Sequence, residues 1–221
     1  LVGGGTRPQP GEITLGHQGV LFLDELPEFD RKVLEVLREP LESGQIVIAR
    51  ARDKVRFPAR FQLVAAMNPC PCGYLGDPGG RCRCTPEQIQ RYRGKLSGPL
   101  LDRSDLHLTV ARETTSLNAP AQHAQSSAEV AAQVAAARQL QLRRQGCANA
   151  FLDLAGLRQH CRLDGVDQQW LEHACERLGL SLRAAHRLLK VARTLADLDA
   201  TAEISRQHLA EALQYRPAAQ S

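Results

Sequence analysis

The stretch Gly19-Val-Leu-Phe-Leu-Asp-Glu25 decides the fold class of this 221-residue chain. Four apolar residues that end in two acids are typical of a strand buried on both faces of a parallel sheet. Asp30 can cap a following helix over residues 31–43. Apolar runs at residues 61–67 and 106–110 predict two further strands. Strand, helix and strand in this order predict an α/β core.

Two more patterns extend this core. Residues 45–49 and 55–57 are apolar runs separated by a charged segment, and we interpret them as the arms of a β-hairpin. Residues 86–96 begin with proline after Thr85, which is typical of a capped helix. The predicted core therefore alternates strands and helices up to residue 113.

The second half of the chain has a different composition. Beyond residue 128 it is rich in Ala, Leu, Gln and Arg, with helical periodicity and no strand-like run, and we expect four or five helices. We therefore divide the chain into a core over residues 1–113, a polar linker over residues 114–127 and an all-α domain over residues 128–221. The clearest helix is predicted over residues 181–197, with its apolar face at Leu182, Ala185, Leu189, Ala192 and Ala196.

Composition excludes several classes of protein. A chain with 43% hydrophobic and 24% charged residues is not mostly disordered, and no apolar run approaches the roughly 20 residues that a membrane helix needs. Seven cysteines, an odd number, without a secretion signal predict the reducing cytoplasm and no disulfide framework. Because the chain starts at Leu1 and has a single methionine, Met67, we expect a fragment of a longer protein.

Asp24 and Glu25 have the pattern of a Walker B motif. A carboxylate at the carboxyl end of a buried strand can hold Mg²⁺ directly or through water, and a neighbouring glutamate can activate the water that attacks a γ-phosphate. The alternative is an acidic strand end that leads into a helix cap.

Two further residues suit the same chemistry. Asn68 ends the apolar run at residues 61–67, where an amide can sense a γ-phosphate, although Asn-Pro also starts ordinary turns. Arg103, flanked by Asp102 and Asp105, can act as an arginine finger that stabilises a phosphoryl transition state in a neighbouring subunit. The alternative for Arg103 is a surface salt bridge.

Four cysteines fall within fifteen residues, at Cys70, Cys72, Cys82 and Cys84. The glycine-rich loop between the two pairs can fold back, so that four thiolates surround one structural Zn²⁺. The alternative is free thiols on a mobile loop. The other cysteines, Cys147, Cys161 and Cys175, have no such grouping and are interpreted as buried or half-buried thiols.

The predicted hairpin is strongly basic, with five basic residues and one acidic residue between positions 50 and 60. No aromatic residue lies between the charges of its tip, which favours sequence-independent contact with phosphates over base stacking. A solvated edge hairpin that uses charge against aggregation is the alternative. The candidate DNA-contacting residues are Arg50, Arg52, Lys54 and Arg56.

In combination these motifs resemble the magnesium-chelatase-like AAA+ ATPases, in particular the ComM-type competence proteins of bacteria. The resemblance is carried by residues 11–29, 68–73, 84–88, 97–103 and 181–197. It implies a partial AAA+ core with a parallel sheet, followed by an all-α lid, and assembly into a homo-oligomeric ring, a hexamer. It also implies that ATP and Mg²⁺ are cofactors, and that Asp24 and Glu25 form Walker B, with Asn68 as sensor one, Arg103 as the finger and Arg183 as the sensor-two arginine.

The resemblance also implies a function on DNA. Hairpins before sensor one line the pore of related rings, so the basic hairpin is expected to contact the DNA backbone during branch migration in natural transformation. The alternatives are a magnesium-chelatase motor that drives metal insertion into a porphyrin, and a non-catalytic, zinc-stapled nucleic-acid-binding module. No membrane partner is expected.

One departure from the family pattern concerns nucleotide binding. The motif G-x-x-x-x-G-K-[ST] is absent, and the one Gly-Lys pair, Gly94-Lys95, is followed by leucine. The backbone cradle and lysine of that motif supply much of the affinity for phosphate. We therefore expect this chain by itself to bind nucleotide poorly and to be inactive as an ATPase.

Overall fold

The computed structural model describes residues 1, 3–4, 9–49, 54–110 and 125–216. The chain divides into two units, residues 1–104 and 105–221, and each has its own buried apolar cluster. This α/β unit followed by an α-helical unit is the fold class that the sequence predicts. The domain boundaries at residues 113 and 127 stay a prediction.

The first unit mixes short strands and helices. Its strands are β1 (Gly3–Gly4), β2 (Gln9–Pro10), β3 (Val20–Leu23), β4 (Gln45–Ala49), β5 (Lys54–Pro58) and β6 (Gln62–Ala65). Its helices are α1 (Glu12–Leu15), α2 (Arg31–Val36), α3 (Arg38–Ser43), α4 (Pro86–Arg93) and α5 (Gly98–Leu101), and a 3₁₀ turn spans Leu26–Glu28.

The parallel sheet consists of β3 and β6 in the described part of the chain, with Leu21 opposite Leu63 and Leu23 opposite Ala65. Leu23 packs into the core, whereas Val20 and Phe22 are 60% and 59% exposed. The expectation that this strand is buried on both faces is therefore wrong for the described residues. Side chains alternate between the two faces of a strand, and the described helices cover only one of them.

The helix predicted over residues 31–43 forms as two helices, α2 and α3, with a break at Leu37. Asp30 caps α2 as predicted, because its carboxylate accepts a 2.7 Å hydrogen bond from the backbone N–H of Lys32. Pro40 has no N–H to donate to the preceding turn, which explains the break. Gly44 ends α3 with φ of +67°, and an added Cβ would lie 2.7 Å from Cγ of Arg60, so both backbone and space require glycine.

The hairpin and the capped helix are confirmed. β4 and β5 pair antiparallel with Ile46 opposite Phe57, and the tip at residues 50–53 lies outside the described residues. Thr85 forms a capping box with Gln88 at the start of α4, which ends at Arg93 rather than at residue 96.

The third strand predicted over residues 106–110 does not form. This segment has no regular structure, and Leu108 and Val110 are 72% and 91% exposed. A strand needs a partner for its backbone groups, and the one backbone bond described for the segment joins the N–H of His107 to the carbonyl of Tyr215 at 2.7 Å.

The second unit contains five α-helices in its described part, as the sequence predicts. They are α6 (Ser127–Gln145), α7 (Leu154–His160), α8 (Gly165–Arg177), α9 (Leu182–Leu198) and α10 (Arg206–Gln214), with a 3₁₀ turn at Asn149–Phe151. Residues 114–124 of the predicted linker lie outside the described residues. None of the described helices is long and apolar enough to cross a bilayer.

Helix α9 forms the centre of this unit, but its buried stripe differs from the predicted one. Leu182 is 75% exposed, and the buried side chains follow an i, i+4 row. The predicted and observed stripes share Ala192 and Ala196, but they diverge toward the start of the helix, where Ala185 and Leu189 are only half-buried. The apolar members of the observed row are Ala184, Leu188, Ala192 and Ala196.

A buried polar network joins α6, the 3₁₀ turn and α9. The carboxylate of Asp197 accepts hydrogen bonds from the guanidinium of Arg144 at 2.5 and 3.0 Å and from Nδ2 of Asn149 at 2.8 Å, and it pairs with Arg193 at 3.0 Å. Burial alone would raise the pKa of Asp197, but the bonds from Arg144 and Asn149 outweigh burial and hold this pKa below 3.8. The network therefore keeps a buried carboxylate ionised.

Candidate nucleotide-binding edge and metal centre

The parallel register brings Asp24 and Asn68 to the same edge of the sheet. Asp24 follows β3 directly, and Asn68 comes three residues after the end of β6. Beyond the strands, the N–H of Ala66 donates to the carbonyl of Leu23 and the N–H of Leu26 donates to the carbonyl of Ala66, both at 2.9 Å. These bonds hold the two chain ends beside each other.

Glu25 has an unusual backbone conformation at this edge. Its φ of +50° lies in the left-handed region, and its N–H donates to Oδ1 of Asp24 at 2.8 Å. Such a conformation costs about 1–3 kcal/mol for a residue with a side chain and is found preferentially at functional sites. The hydrogen bonds of Leu23 and Leu26 to Ala66, on either side of Glu25, keep the backbone in this conformation.

The two carboxylates suit a hard cation. Both side chains are exposed, and neither forms an ion pair within the described residues. Carboxylate oxygens and water are the ligands that Mg²⁺ prefers. Asp24 and Glu25 therefore fit the metal and the water activation that a Walker B motif requires.

Tyr92 belongs to this edge and was missed by the sequence analysis. Burial raises the pKa of its phenol, which is hydrogen-bonded to the backbone of Asn68 and feels the charges of Glu28 and Glu25. Lys95 lies 5.9 Å from the centre of the Tyr92 ring and pairs with Glu28 at 3.3 Å. A tyrosine in a polar helix carries no sequence signal for this role, because its partners come from other segments.

Arg103 is held by an acid that the sequence did not indicate. Its guanidinium pairs with Glu42 from α3 and donates to the carbonyl of Pro99 at 2.6 Å, and its side chain is only 11% exposed. The structure thus places Arg103 in an ion pair of the first unit. Arg183 lies exposed in the first turn of α9, in the second unit.

The four cysteines form one cluster. Their sulfur atoms all lie within 4.8 Å of one another, and Cys70 Sγ is 3.4 Å from Cys72 Sγ and 3.8 Å from Cys82 Sγ. Four sulfurs at the usual Zn–S distance of about 2.3 Å form a tetrahedron with edges of about 3.8 Å. The spacing therefore fits a closed, structural zinc site with Cys84 as the fourth ligand.

The environment of the sulfurs also suits a dication. Backbone hydrogen bonds from Tyr74 and Arg83 lower the pKa of Cys72 to about 6, so this sulfur is readily a thiolate. The pKa of Cys84 is raised to about 12, first by its hydrogen bond with Cys72. Four adjacent thiols cannot all ionise without a cation between them, which is the condition that Zn²⁺ would meet.

The loop between the cysteine pairs is ordered by its own contacts. Arg81 donates to both carboxylate oxygens of Asp77, at 2.9 and 2.6 Å, and its guanidinium lies 4.8 Å from the centre of the Tyr74 ring. The hydrogen bond from Arg81 is the main cause of the pKa of Asp77 being about 2. These contacts make the loop a folded element. It lies beside the sheet edge, because Asn68 comes only two residues before Cys70.

The basic hairpin is described in part. Lys54 and Arg56 lie exposed on one face of β5, in positions opposite Ala49 and Val47 of β4. Arg50 and Arg52 lie outside the described residues. The described hairpin thus presents two cations at alternate positions of one strand.

Comparison with known proteins assigns the family. Residues 1–117 match the family described as magnesium chelatase, subunit ChlI, and residues 124–216 match the C-terminal part of the same subunit. The chain belongs to this magnesium-chelatase ChlI family, whose members are AAA+ ATPase-like.

Individual relatives agree with this assignment. The chain is 55% identical over 217 residues to the protein YifB of Escherichia coli and 53% identical over 217 residues to the competence protein ComM of Haemophilus influenzae. Each match covers 98% of this chain and 42% of the relative, so the chain spans less than half the length of these proteins. A magnesium-chelatase 38 kDa subunit of Chlorobaculum tepidum is 32% identical over 107 residues, which are 48% of this chain and 21% of that subunit.

Proposed function

We propose that the full-length protein is an AAA+ motor that couples ATP hydrolysis to the remodelling of DNA. The observation that carries this proposal is the β3–β6 edge, where Asp24, the strained Glu25 and Asn68 lie at adjacent strand ends. This is the arrangement that ATP hydrolysis needs at a sheet edge.

Each residue of the edge has a role in this proposal. Asp24 binds the metal, Glu25 accepts a proton from the attacking water, and Asn68 donates to the γ-phosphate. Mg²⁺, when bound, neutralises the charge that develops on the phosphate oxygens. Arg103 acts across a subunit interface of a ring, proposed to be a hexamer, after leaving Glu42. Arg183 is the proposed sensor-two arginine.

DNA is the proposed substrate for two reasons. The hairpin presents Lys54 and Arg56 without a carboxylate at the intervening position, which suits phosphate contacts. A relative at 53% identity is named a competence protein. We therefore propose branch migration during transformation as the activity. A motor for magnesium chelation is the second candidate, which the family match and the Chlorobaculum relative favour.

The test measures ATP turnover by the full-length protein alone, with a four-way DNA junction, and with a porphyrin, Mg²⁺ and chelatase partner subunits. We expect DNA to stimulate turnover, and we expect the double variant Lys54→Gln/Arg56→Gln to lose most of this stimulation because two phosphate contacts are removed. The basal rate of the double variant should stay unchanged.

The matched control is Arg31→Gln/Lys32→Gln, which removes two exposed charges from α2 and should retain the stimulation. A response to the porphyrin system alone would assign the protein to chelation. If the protein binds DNA but shows no ATP turnover, it is a non-catalytic nucleic-acid-binding module.

We also propose that the cysteine cluster binds one structural Zn²⁺. The purified protein should then contain about one zinc per chain by elemental analysis. Cys84→Ser should lose most of this zinc, because three thiolates hold the ion less tightly than four. Cys175→Ser, which changes a half-buried thiol outside the cluster, should keep it. A wild-type protein that takes up no zinc from supplemented medium would contradict the proposal.

A further inference from the structure

An open cleft of about 400 Å³ lies at the amino ends of β3 and β6, the opposite end of the parallel pair from Asp24 and Asn68. Its volume is within the range of about 300–1,000 Å³ that is common for sites of small ligands. The polar side chains that line it are His17, Gln18, Gln45, Arg56 and Arg60.

Two lining residues are held in place by the backbone of Arg60. The N–H of Arg60 donates to Nδ1 of His17 at 3.1 Å, and the N–H of Gln18 donates to the carbonyl of Arg60 at 2.5 Å. Since Nδ1 of His17 accepts a hydrogen bond, the ring proton lies on Nε2 and makes that nitrogen a donor. Gln18 has φ of +60°, a strained conformation of the kind that occurs in ligand clamps.

The cleft is rich in hydrogen-bond donors and positive charge. Arg56 and Arg60 contribute two guanidinium groups, and Gln18 and Gln45 contribute amides. No Asp or Glu is found among the described residues that line it. Arg60 passes across Gly44, where any side chain would collide with it. Guanidinium groups match phosphate oxygens in geometry and charge, so the cleft suits a phosphate group better than a carbonyl or a cation.

We propose that this cleft is a phosphate-binding site, separate from the nucleotide edge. Lys54 and Arg56 lie two residues apart on one face of β5, about 7 Å along the strand. The positive charges therefore continue from the hairpin into the cleft. This continuity favours a phosphodiester group of bound nucleic acid as the ligand of the cleft. The choice of nucleic acid as the ligand rests on the proposed function, whereas the binding of free inorganic phosphate does not depend on it.

The test compares two isosteric variants of the full-length protein, Gln45→Glu and Gln90→Glu. Each adds one negative charge at an exposed glutamine, but only Gln45 lines the cleft. Binding of inorganic phosphate is measured by calorimetry with ADP in excess, and binding of a fluorescein-labelled 20-nucleotide oligo-dT is measured by anisotropy at several salt concentrations. Basal ATP turnover is measured to verify that the nucleotide edge is intact.

Gln45→Glu should weaken binding about tenfold, because a carboxylate replaces a donor and repels the phosphate. For the oligonucleotide, the slope of log K against log salt concentration should become shallower by about 0.7, because the new carboxylate pairs with one guanidinium group and removes its phosphate contact. If Gln45→Glu weakens the binding of both probes, or of the oligonucleotide alone, the result supports a phosphate-binding site that binds nucleic acid. If it weakens the binding of inorganic phosphate alone, the result supports a site that binds free phosphate. Equal binding by both variants in both assays overturns the proposal, even if wild-type DNA binding is strong.

Discussion

Glu25→Gln in the full-length protein is expected to lower ATP turnover by about 10²–10⁴-fold while ATP still binds. A positioned general base contributes a rate factor of this size, and glutamine cannot accept the proton of the attacking water. The substitution keeps the shape of the side chain, so the left-handed backbone and its bonds to Asp24 and the β6 end should persist. Single-turnover hydrolysis and equilibrium binding of ATP separate the two effects.

Glu39→Gln is the control for this variant. Glu39 is an exposed glutamate on α3, and its substitution removes the same charge from the same unit. It should change turnover less than twofold, as expected for an exposed charge away from the reacting atoms. A near-normal rate for Glu25→Gln, in a protein whose wild type hydrolyses ATP, would contradict the role given to Glu25.

Asp197→Asn is expected to destabilise the helical unit by about 3–5 kcal/mol. The substitution leaves the fully buried Arg193 and the partly buried Arg144 without their counter-charge, and removing one partner of a buried ion pair has this cost. Trp170 is the one tryptophan of the sequence and packs against the core of this unit. Its fluorescence during urea denaturation therefore reports the unfolding of this unit specifically.

The matched control is Asp199→Asn, which alters the 3.1 Å hydrogen bond between Nε2 of His208 and an aspartate that is 64% exposed. This variant should cost less than about 1 kcal/mol, because the carboxylate is mostly in solvent and the amide oxygen of asparagine can still accept the hydrogen bond. Equal destabilisation by the two variants would show that burial of the Asp197 network contributes nothing.

The pH dependence of stability gives Asp197 an independent signature. Its pKa is lower in the folded state than the ordinary 3.8, so the folded state binds its proton less readily than the unfolded state does. The stabilisation is therefore complete above about pH 5 and is lost as the pH falls through the folded-state pKa. In the Asp197→Asn variant, the free energy of unfolding followed by Trp170 fluorescence should lose this part of its dependence on pH.

Several elements of the candidate site could be predicted from sequence because short-range rules determine them. The strand before Asp24 is readable from an apolar run, the caps at Asp30 and Thr85 from their side chains, and the hairpin from two apolar arms around a charged segment. The cysteine cluster followed from spacing, because two close pairs joined by a glycine-rich loop can meet without help from the rest of the fold.

The errors of the sequence analysis concern partners that lie elsewhere in the chain. Residues 106–110 have the composition of a strand, but no strand in the described part of the chain pairs with them. The exposed face of β3 likewise depends on what packs against it. Leu182 was placed on the buried face of α9 because its spacing is helical, yet Ala184 and Leu188 are the buried residues at this end of the helix. Periodicity specifies which residues share a face of a helix, and the packing of the neighbouring helices decides which face is buried at each turn.

By itself, the sequence determined the fold class, the order of the elements in the site and the identity of the residues that can hold a metal. Only the tertiary structure decided that Glu42 holds Arg103, that Tyr92 contacts Asn68, and that His17 and Arg60 share a cleft. The physical reason is the range of the interactions. Caps, turns and strand patterns act over a few residues, whereas ion pairs and clefts arise between segments that only the packed fold brings together.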